Sequence, residues 1–443
     1  MRPDPRLPEA LANAFLAGEL TVDAVAARAA HVLGHNWRWL RPVARRYVET
    51  LAGRVRPRRA DVVEFLLHDQ EFYRAWQRLP SHLGIAHWIT EPQQMQPVPT
   101  ARAWQVPKIE SVSALAEWLG MDVNYLEWFA DLKSLGYRTD CTRLRHYYYR
   151  VLVKDSGNIR LIEAPKQALR SLQRRVLHGI LDKVPAHSAA HGFVKGRSIK
   201  TFVAPHVKQR VVLRMDLRDF FPSFRAAQIE AFFRTMGYPE RIADLLAGIC
   251  TTATPRDVWR RIKPIGDPVL FWEIRTVYAR PHLPQGAPTS PALANLCSFR
   301  LDCRLAGLAK AAGAHYTRYA DDLAFSGDAG FEKTVERFST HVAAIVMEQG
   351  FSVNHHKTRI MRRGVRQRLA GIVANEHANV TRKEFDRLKA ILTNCIRHGP
   401  ESQNREHHPD FRAHLEGRLC FVEMVNPTKA IRLRNIFNQI PWA

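Results

Sequence analysis

The chain has 443 residues, and 66 Lys or Arg against 42 Asp or Glu give a formal net charge of +24. Hydrophobic residues make up 46% of the sequence, which is enough for a packed core and excludes wholesale disorder. The six cysteines include no C-x-x-C pair, so neither a disulfide framework nor a zinc ribbon is expected. The charge surplus favours a polyanionic partner, nucleic acid before an anionic membrane, over a merely basic soluble protein.

Targeting and membrane signals are not evident in the sequence. The N-terminus lacks a basic flank followed by an apolar run, and no stretch of 18 apolar residues occurs. With cysteines free of any pairing pattern, a soluble protein of the reducing cytoplasm is expected, without membrane association.

Residues 1–90 form the first predicted region, an N-terminal helical extension. Apolar residues recur there every three or four positions, which predicts four helices. These are Leu7–Leu20, Thr21–Leu33, Trp37–Leu51 and Asp61–Trp76. Its basic and aromatic side chains suit a surface for RNA or for a partner protein, and a scaffold packed on the rest of the chain is an equal alternative. Residues 91–107 carry four prolines and are interpreted as a linker or an extended strap.

Helices and strands follow one another irregularly after the linker. Ser111–Leu119 and Val123–Leu132 have helical periodicity, whereas Tyr147–Val153 and Ile159–Glu163 are rich in β-branched and aromatic residues. The turn sequence between these two strands, Asp155–Asn158, predicts a hairpin. Because no βαβ alternation appears, an α+β fold is expected.

Two strand-like segments carry carboxylates that a strand does not favour. Asp216 ends the apolar run that begins at Val211, and Asp321 and Asp322 lie side by side between two β-rich flanks. Like charges repel, and a buried carboxylate without a cation is costly, so a positive group should lie there. Hard oxygen ligands from separate strands are what Mg²⁺ requires, and paired ions of this kind support phosphoryl transfer.

These residues and three further segments carry a family resemblance. Tyr319–Asp322 matches a YxDD box, Met215–Phe224 matches a first palm motif, and Leu283–Leu296 matches an LPQGxPxSP box. His191–Phe193 and Gly350–Thr358 extend the match. The chain resembles reverse transcriptases, and among them the bacterial retron enzymes.

The resemblance implies a right-hand polymerase with fingers, a palm built on an antiparallel sheet, and a helical thumb. Fingers and palm would occupy residues 108–365, and an RNA-binding thumb residues 366–443. The three aspartates would be catalytic and would hold two Mg²⁺ ions, which Mn²⁺ can replace. The backbone carbonyl of Leu217 is a further expected ligand.

The resemblance also implies a nucleotide-binding set. Phe221 would lie against the sugar and reject a ribose 2′-hydroxyl, and Lys357 would protonate or steady the pyrophosphate. The remaining members would contact the triphosphate or the nascent base pair. They are Lys154, Arg160, Asp219, Phe220, Gln285 and Gly286.

The thumb is expected to hold nucleic acid through amphipathic helices. Arg382–His398 and Phe411–Val425 have apolar residues on one face and basic residues on the other. Such a basic face follows a duplex backbone independently of sequence. The expected contacts are Arg382, Lys383, Arg387, Lys389 and Arg397.

Two retron boxes are altered in this sequence. The NAxxH box becomes Phe202–His206, which keeps the histidine but loses Asn-Ala, and the VTG box becomes Leu369–Gly371, which keeps only the glycine. These changes concern recognition of the cognate RNA rather than the polymerase assignment.

The expected function is therefore that of an RNA-directed DNA polymerase of a retron. It would copy a structured noncoding RNA, serving as template and primer, into single-stranded DNA (msDNA) from deoxynucleotides, holding the RNA–DNA hybrid as it does so. Priming from a 2′-hydroxyl and antiphage defence with an effector protein are implied by the resemblance. The alternatives are a group II intron-like or other defence-associated reverse transcriptase, and an RNA-binding scaffold with a relic polymerase site.

Overall fold

A computed structural model describes most of the chain. The described residues are 4–51, 54–79, 82–90, 93–138, 141–153, 159–260 and 268–442. They form two compact units, the first comprising Met1–Pro185 and Phe221–Cys297 and the second Ala186–Phe220 and Ser298–Ala443. Within the described ranges, every helix is too short or too polar to cross a bilayer.

Helices dominate both units. In chain order they are α1 (Leu7–Leu16), α2 (Val22–Leu33), α3 (Leu40–Leu51), α4 (Arg59–His68), α5 (Gln70–Arg78), α6 (Val112–Leu119), α7 (Val123–Ala130), α8 (Leu135–Arg138), α9 (Gln167–Gly179), α10 (Ile199–Val203), α11 (Phe220–Ser223), α12 (Ala226–Thr235), α13 (Glu240–Cys250), α14 (Arg256–Arg260), α15 (Pro268–Tyr278), α16 (Ser290–Cys297), α17 (Phe299–Ala311), α18 (Ala329–Glu348), α19 (Arg382–His398), α20 (Phe411–Val425) and α21 (Pro427–Phe437).

The strands form a small sheet and two hairpins, all antiparallel. They are β1 (Tyr147–Val153), β2 (Ile159–Pro165), β3 (Val211–Arg218), β4 (His315–Tyr319), β5 (Asp322–Gly327), β6 (Ser352–Val353), β7 (Arg359–Arg362), β8 (Arg368–Leu369) and β9 (Ile372–Val373). The sheet has the order β4-β5-β3-β6, and β7 pairs with β3 alongside β6. The α+β class expected from the sequence is confirmed.

The N-terminal helices of the first unit share one apolar core. Leu11, Phe15 and Leu40 are buried at its centre. The segment predicted as a single helix, Asp61–Trp76, is two helices, because Asp69 accepts hydrogen bonds from the backbone N–H groups of residues 71 and 72 and starts α5. Helix α1 is also shorter than predicted and ends at Leu16.

The Pro-rich strap runs past the end of α12 and the loop after it. Its residues 93–98 have no regular secondary structure, and Pro99–Trp104 form a 3₁₀-helix that the sequence did not predict. Its backbone N–H groups at Gln96 and Val98 donate to the carbonyls of Gly237 (3.0 Å) and Thr235 (3.2 Å). Buried Arg56 donates to the carbonyl of Leu16 at 2.6 Å and to that of Gln94 at 2.5 Å. The strap thus joins the N-terminal helices to the rest of the first unit.

The predicted β-hairpin is present, with Val153 opposite Ile159. Its turn, Asp155–Asn158, and the adjacent Lys154 lie outside the described residues. Leu161 of β2 packs against Trp259 and Phe271 of the following helices in a small core.

The second unit combines the sheet with the C-terminal helices. Helices α19, α20 and α21 pack on one core that also includes Phe202, Val212 and Ala324. The sequence predicts α19 and α20 with the observed bounds. The helices begin only at Arg382, however, because the described residues 366–381 carry the β8–β9 hairpin, whose turn residues Ala370 and Gly371 both have positive φ.

Candidate active site

The three aspartates lie together in the second unit. Asp216 is paired in register with Asp322 across β3 and β5, and Asp321 lies in the two-residue turn between β4 and β5. The backbone N–H of Leu217 donates to the carbonyl of Asp321 at 2.9 Å. The sequence predicted Asp216 at the end of its strand, but β3 continues to Arg218.

Burial and like charge crowd these carboxylates. Desolvation, followed by the charges of Asp216 and Asp322, raises the pKa of Asp321 to about 6. Desolvation also raises the pKa of Asp322, although Arg214 opposes the shift. An added cation would remove this repulsion.

Two basic side chains face the carboxylates. Lys357 Nζ lies 3.0 and 2.9 Å from the two oxygens of Asp216, and Arg214 donates to Asp322 from Nε at 2.9 Å and from Nη2 at 2.7 Å. The loop that carries Lys357 is fixed to β3, because the N–H of Asn354 donates to the carbonyl of Asp216 at 2.8 Å. Sequence reasoning missed Arg214, although its position two residues before Asp216 puts both side chains on one face of β3.

The donor set suits a hard cation that is shared with substrate. In the described part of the chain, no three His, Cys, Asp or Glu side chains are gathered closely enough to enclose a metal ion by themselves. Mg²⁺ commonly takes one or two carboxylates and completes its octahedron with water and substrate phosphate oxygens. Asp216 and Asp321 fit that pattern.

The chain turns sharply directly after β3. Asp219 has φ +47° and pairs with Arg218 at 3.4 Å. The side chain of Phe220 is buried, and its ring lies 6.0 Å from that of Phe351. The side chain of Phe220 is therefore part of the core.

The other predicted nucleotide contacts lie in the first unit. Gln285 accepts a hydrogen bond from the N–H of Glu163 at 2.9 Å, so the LPQG loop is attached to β2, the strand that carries exposed Arg160. Gly286 has φ +137°, and a Cβ there would come within 3.0 Å of the carbonyl of Glu163. Phe221, which follows β3, is partly buried in the same unit.

A buried polar cluster supports the LPQG loop. Glu163 accepts from Thr254 Oγ1 at 2.7 Å and pairs with His282 Nε2 at 2.8 Å. Both members of this ion pair are almost completely buried. Desolvation is the largest single effect on the pKa of His282 and lowers it, but the charge and hydrogen bond of Glu163 raise that pKa on balance. No sequence pattern indicates this cluster, because its members are far apart along the chain.

His206, the residue kept from the altered NAxxH box, supports the β4–β5 hairpin that carries Asp321 and Asp322. Its ring nitrogens lie 2.6 Å from Ser326 Oγ on β5 and 2.7 Å from Thr317 Oγ1 on β4. Burial lowers its pKa to about 3, so the ring is neutral and joins the two strands by hydrogen bonds.

The HGF segment lies against the turn between β4 and β5. The N–H of His191 donates to the carbonyl of Arg318 at 2.7 Å. A Cβ at Gly192 would come within 2.8 Å of the backbone nitrogen of Ala320, so only glycine fits there. The sequence identified the HGF motif but did not indicate that it contacts the turn between β4 and β5.

The predicted thumb contacts line α19. Leu388 and Leu392 are buried on its apolar face. Four of the five basic side chains are exposed and Lys389 is partly buried, which agrees with a solvent-facing basic surface. These are Arg382, Lys383, Arg387, Lys389 and Arg397.

Comparison with known proteins identifies the family. The reverse transcriptase (RNA-dependent DNA polymerase) domain matches residues 152–388, more than half of the chain and the part that contains all three aspartates. The chain belongs to the reverse transcriptase family. The predicted family and its RNA-directed DNA polymerase activity are thereby confirmed.

Several curated relatives of this reverse transcriptase are retron enzymes. It is 44% identical to the retron Mx65 reverse transcriptase of Myxococcus xanthus over 66% of its own length and 64% of the relative. It is 34% identical to the retron Mx162 enzyme of the same organism (84% and 77%) and 32% identical to the retron Ec86 enzyme of Escherichia coli (68% and 82%). The retron type expected from the motifs is confirmed.

Proposed function

We propose that this reverse transcriptase copies a structured noncoding RNA, made in the same cytoplasm, into single-stranded DNA. The observation that carries the proposal is the convergence of Asp216 on β3 with Asp321 and Asp322 at the turn into β5, beside Lys357, which binds Asp216. Similarity to retron enzymes along most of the chain supports a dedicated RNA template. A relic site would have no need to keep buried carboxylates that repel one another.

Asp216 and Asp321 are the proposed ligands of two Mg²⁺ ions, with Asp322 and the Leu217 carbonyl beside them. When bound, these ions lower the pKa of the attacking primer hydroxyl and neutralise charge on the departing pyrophosphate. The chain's part is to hold the carboxylates in register, and β3 and β5 do this through their hydrogen-bonded pairing.

Lys357 and Arg214 have different proposed roles. The Lys357 side chain is half exposed, so it can leave Asp216 and place its charge or its proton on the pyrophosphate. Arg214 is less exposed and holds Asp322 through two donors, which fixes that carboxylate beside the reacting groups.

The proposed deoxynucleotide contacts follow the pattern of the reverse transcriptase family. Arg160 and Lys154 would grip the phosphates, the backbone at Asp219 and Phe220 would donate to them, and Phe221 would exclude a 2′-hydroxyl. Gln285 and Gly286 would meet the nascent base pair from the loop that is hydrogen-bonded to β2.

The test is synthesis of DNA in cells that express the chain with the DNA upstream of its gene. The wild type should produce a short, RNase-resistant single-stranded DNA, and Asp321→Asn should produce none. The matched control is Asp328→Asn, an acid-to-amide change at the exposed cap of α18, where asparagine caps equally well. Product from Asp321→Asn at the wild-type level would refute the proposed site.

The same strains test the proposed role in antiphage defence. With the neighbouring genes present to supply an effector protein, the wild type should lower the plating efficiency of phage. Asp321→Asn should abolish protection if the DNA product is required. Protection that survives loss of the DNA would contradict this part of the proposal.

A further inference from the structure

A buried ion pair lies behind the catalytic turn. Arg318 in β4 and Asp302 in α17 are both fully buried. The guanidinium donates from Nε to Oδ1 at 2.8 Å and from Nη2 to Oδ2 at 2.7 Å, and the hydroxyl of Tyr316 donates to Oδ1 at 2.8 Å. Such a pair seldom stabilises a fold more than well-packed apolar residues would, because both charges lose their hydration. Its location needs another explanation.

The third nitrogen of the guanidinium reaches the turn itself. Arg318 Nη1 donates to the carbonyl of Ala320 at 3.2 Å. Ala320 has φ +53°, a left-handed conformation that is costly for a residue with a Cβ and persists only where surrounding contacts impose it. Because Asp302 holds the other two nitrogens, the guanidinium plane cannot rotate away from this carbonyl.

The backbone is therefore held on both sides of Asp321. The Ala320 carbonyl belongs to the peptide group that precedes Asp321 and is bound by Arg318. The carbonyl of Asp321 belongs to the next peptide group and accepts from Leu217 N–H at 2.9 Å. Because both flanking peptide groups are held, the Cα of Asp321 has a fixed position, and its side chain extends from there beside Asp216.

We propose that Arg318 is a positioning residue for polymerisation, which acts by fixing the peptide before Asp321, with Asp302 and Tyr316 fixing Arg318 in turn. The inference rests on the proposed function, since it assigns the positioned carboxylate to catalysis. Catalytic groups must be held within about 0.5 Å of the productive geometry, and a misplacement of about 1 Å can cost a hundredfold in rate.

The test separates positioning from stability. Removing one charge alone would leave the other buried without a partner and could unfold the protein. The main variant therefore replaces the whole cluster by apolar residues, as Arg318→Met with Asp302→Leu and Tyr316→Phe. We expect its Tm to remain within a few degrees of the wild type while kcat falls at least tenfold. The KM for deoxynucleotide should change less than threefold, measured by DNA primer extension on an RNA template with Mg²⁺.

A second variant covers the case in which the main variant does not fold. Arg318→Lys keeps the charge that balances Asp302 but cannot bind Asp302 and Ala320 at once. It should fold and show the same loss of kcat with little change in KM. Wild-type kcat in either folded variant would overturn the proposal.

Two controls distinguish failure of the positioning role from failure of the proposed function. Arg145 and Asp257 form another buried, doubly bonded ion pair, in the first unit, and Arg145→Met with Asp257→Leu should keep kcat within twofold. Asp321→Asn in the same assay should be inactive. If it is active, the proposed function itself fails, whereas an inactive Asp321→Asn beside a fully active apolar variant refutes only the positioning role.

Discussion

Asp321 is a residue whose position lowers the stability of the protein. A carboxyl group whose folded pKa is about 6, well above its ordinary value, makes the folded state less stable wherever it is ionised. This loss is present at neutral pH and disappears as the pH falls through 6 toward 4. The site thus keeps a charge that a divalent cation can later neutralise.

We therefore expect Asp321→Asn to raise the free energy of unfolding while it abolishes polymerisation. The gain should be on the order of 1–3 kcal/mol at pH 7.5 in EDTA, measured by urea denaturation. Asp328→Asn, at an exposed helix cap, should give no gain. A less stable Asp321→Asn protein would contradict the assignment of strain to this carboxylate.

His206 gives the opposite dependence on pH. Its folded pKa of about 3 lies below the ordinary value of 6.5, so only the unfolded chain takes up a proton between these limits. The stability that the neutral ring contributes is therefore complete above pH 6.5 and is lost as the pH falls toward 3.

Replacing His206 should flatten the acid side of the stability curve. We expect the wild type to lose up to about 1.4 kcal/mol more per pH unit than His206→Gln between pH 6 and 4. His341→Gln, on the exposed face of α18, should keep the wild-type slope. Urea denaturation at several pH values makes the comparison, and equal slopes for wild type and His206→Gln would refute it.

At the scale of elements, α19 shows what periodicity predicts well. Apolar Leu388, Leu392 and Cys395 recur on one face, and Thr381 with Glu384 forms a capping box at its start. The amphipathic pattern alone predicted the helix with its observed bounds, and the capping box explains why it starts where it does. Its role in binding nucleic acid stays a prediction, because no contact within the protein tests it.

Neutralising the basic face of α19 should weaken binding independently of sequence. Lys383→Gln, Arg387→Gln and Arg397→Gln together should lower affinity for an RNA–DNA duplex and reduce the salt slope by about 0.7–0.9 for each phosphate that is no longer neutralised. The matched control is Lys333→Gln with Arg337→Gln on α18, whose side chains are also exposed. Filter binding across a range of KCl concentrations measures both, and an unchanged slope in the α19 variant would exclude this face.

Elements that depend on long-range contacts were harder to predict. The break between α4 and α5 rests on Asp69, which caps α5 and is held by Arg46 through bonds of 2.8 and 3.0 Å. The apolar pattern continues across the break, so periodicity alone predicted one helix. In the same way, motif spacing found the three aspartates, but the roles of Arg214 and His206 emerge only when distant strands pair.

At the scale of the whole molecule, only some of the basic side chains behind the net charge of +24 are available to bind nucleic acid. Many arginines bind backbone carbonyls or carboxylates within the protein, as Arg56 and Arg318 do, and these are not available to RNA. The N-terminal region shows this clearly. Arg58 pairs with Glu230 on α12, and the N–H of Arg59 donates to Glu240 on α13 at 2.8 Å. These contacts favour the scaffold interpretation of the N-terminal helices over a purely RNA-binding one.

The close contact between the strap and Gly237 helps to attach the N-terminal helices to the rest of the first unit. Gly237 has φ +91°, and a Cβ there would lie 2.7 Å from the backbone nitrogen of Gln96 and closer still to Pro97. Both obstacles are backbone atoms, which cannot rotate away as a side chain would. Alanine at this position must therefore displace the strap and break the hydrogen bonds of Gln96 and Val98.

Gly237→Ala should consequently loosen the N-terminal helices from the rest of the first unit. The control is Gly313→Ala, where φ is +64° but nothing lies within 4 Å, so only the left-handed cost of about 1 kcal/mol applies and Tm should fall by about 2–4 °C. Gly237→Ala should lower Tm by more than twice as much, as measured by calorimetry. It should also loosen the strap backbone, so that trypsin cleaves faster after Arg102, whose side chain is exposed already, as followed by limited proteolysis. If the two variants behave alike, the strap does not hold the N-terminal helices, and other contacts, such as the Arg58 ion pair and the hydrogen bond of the Arg59 N–H, must do so.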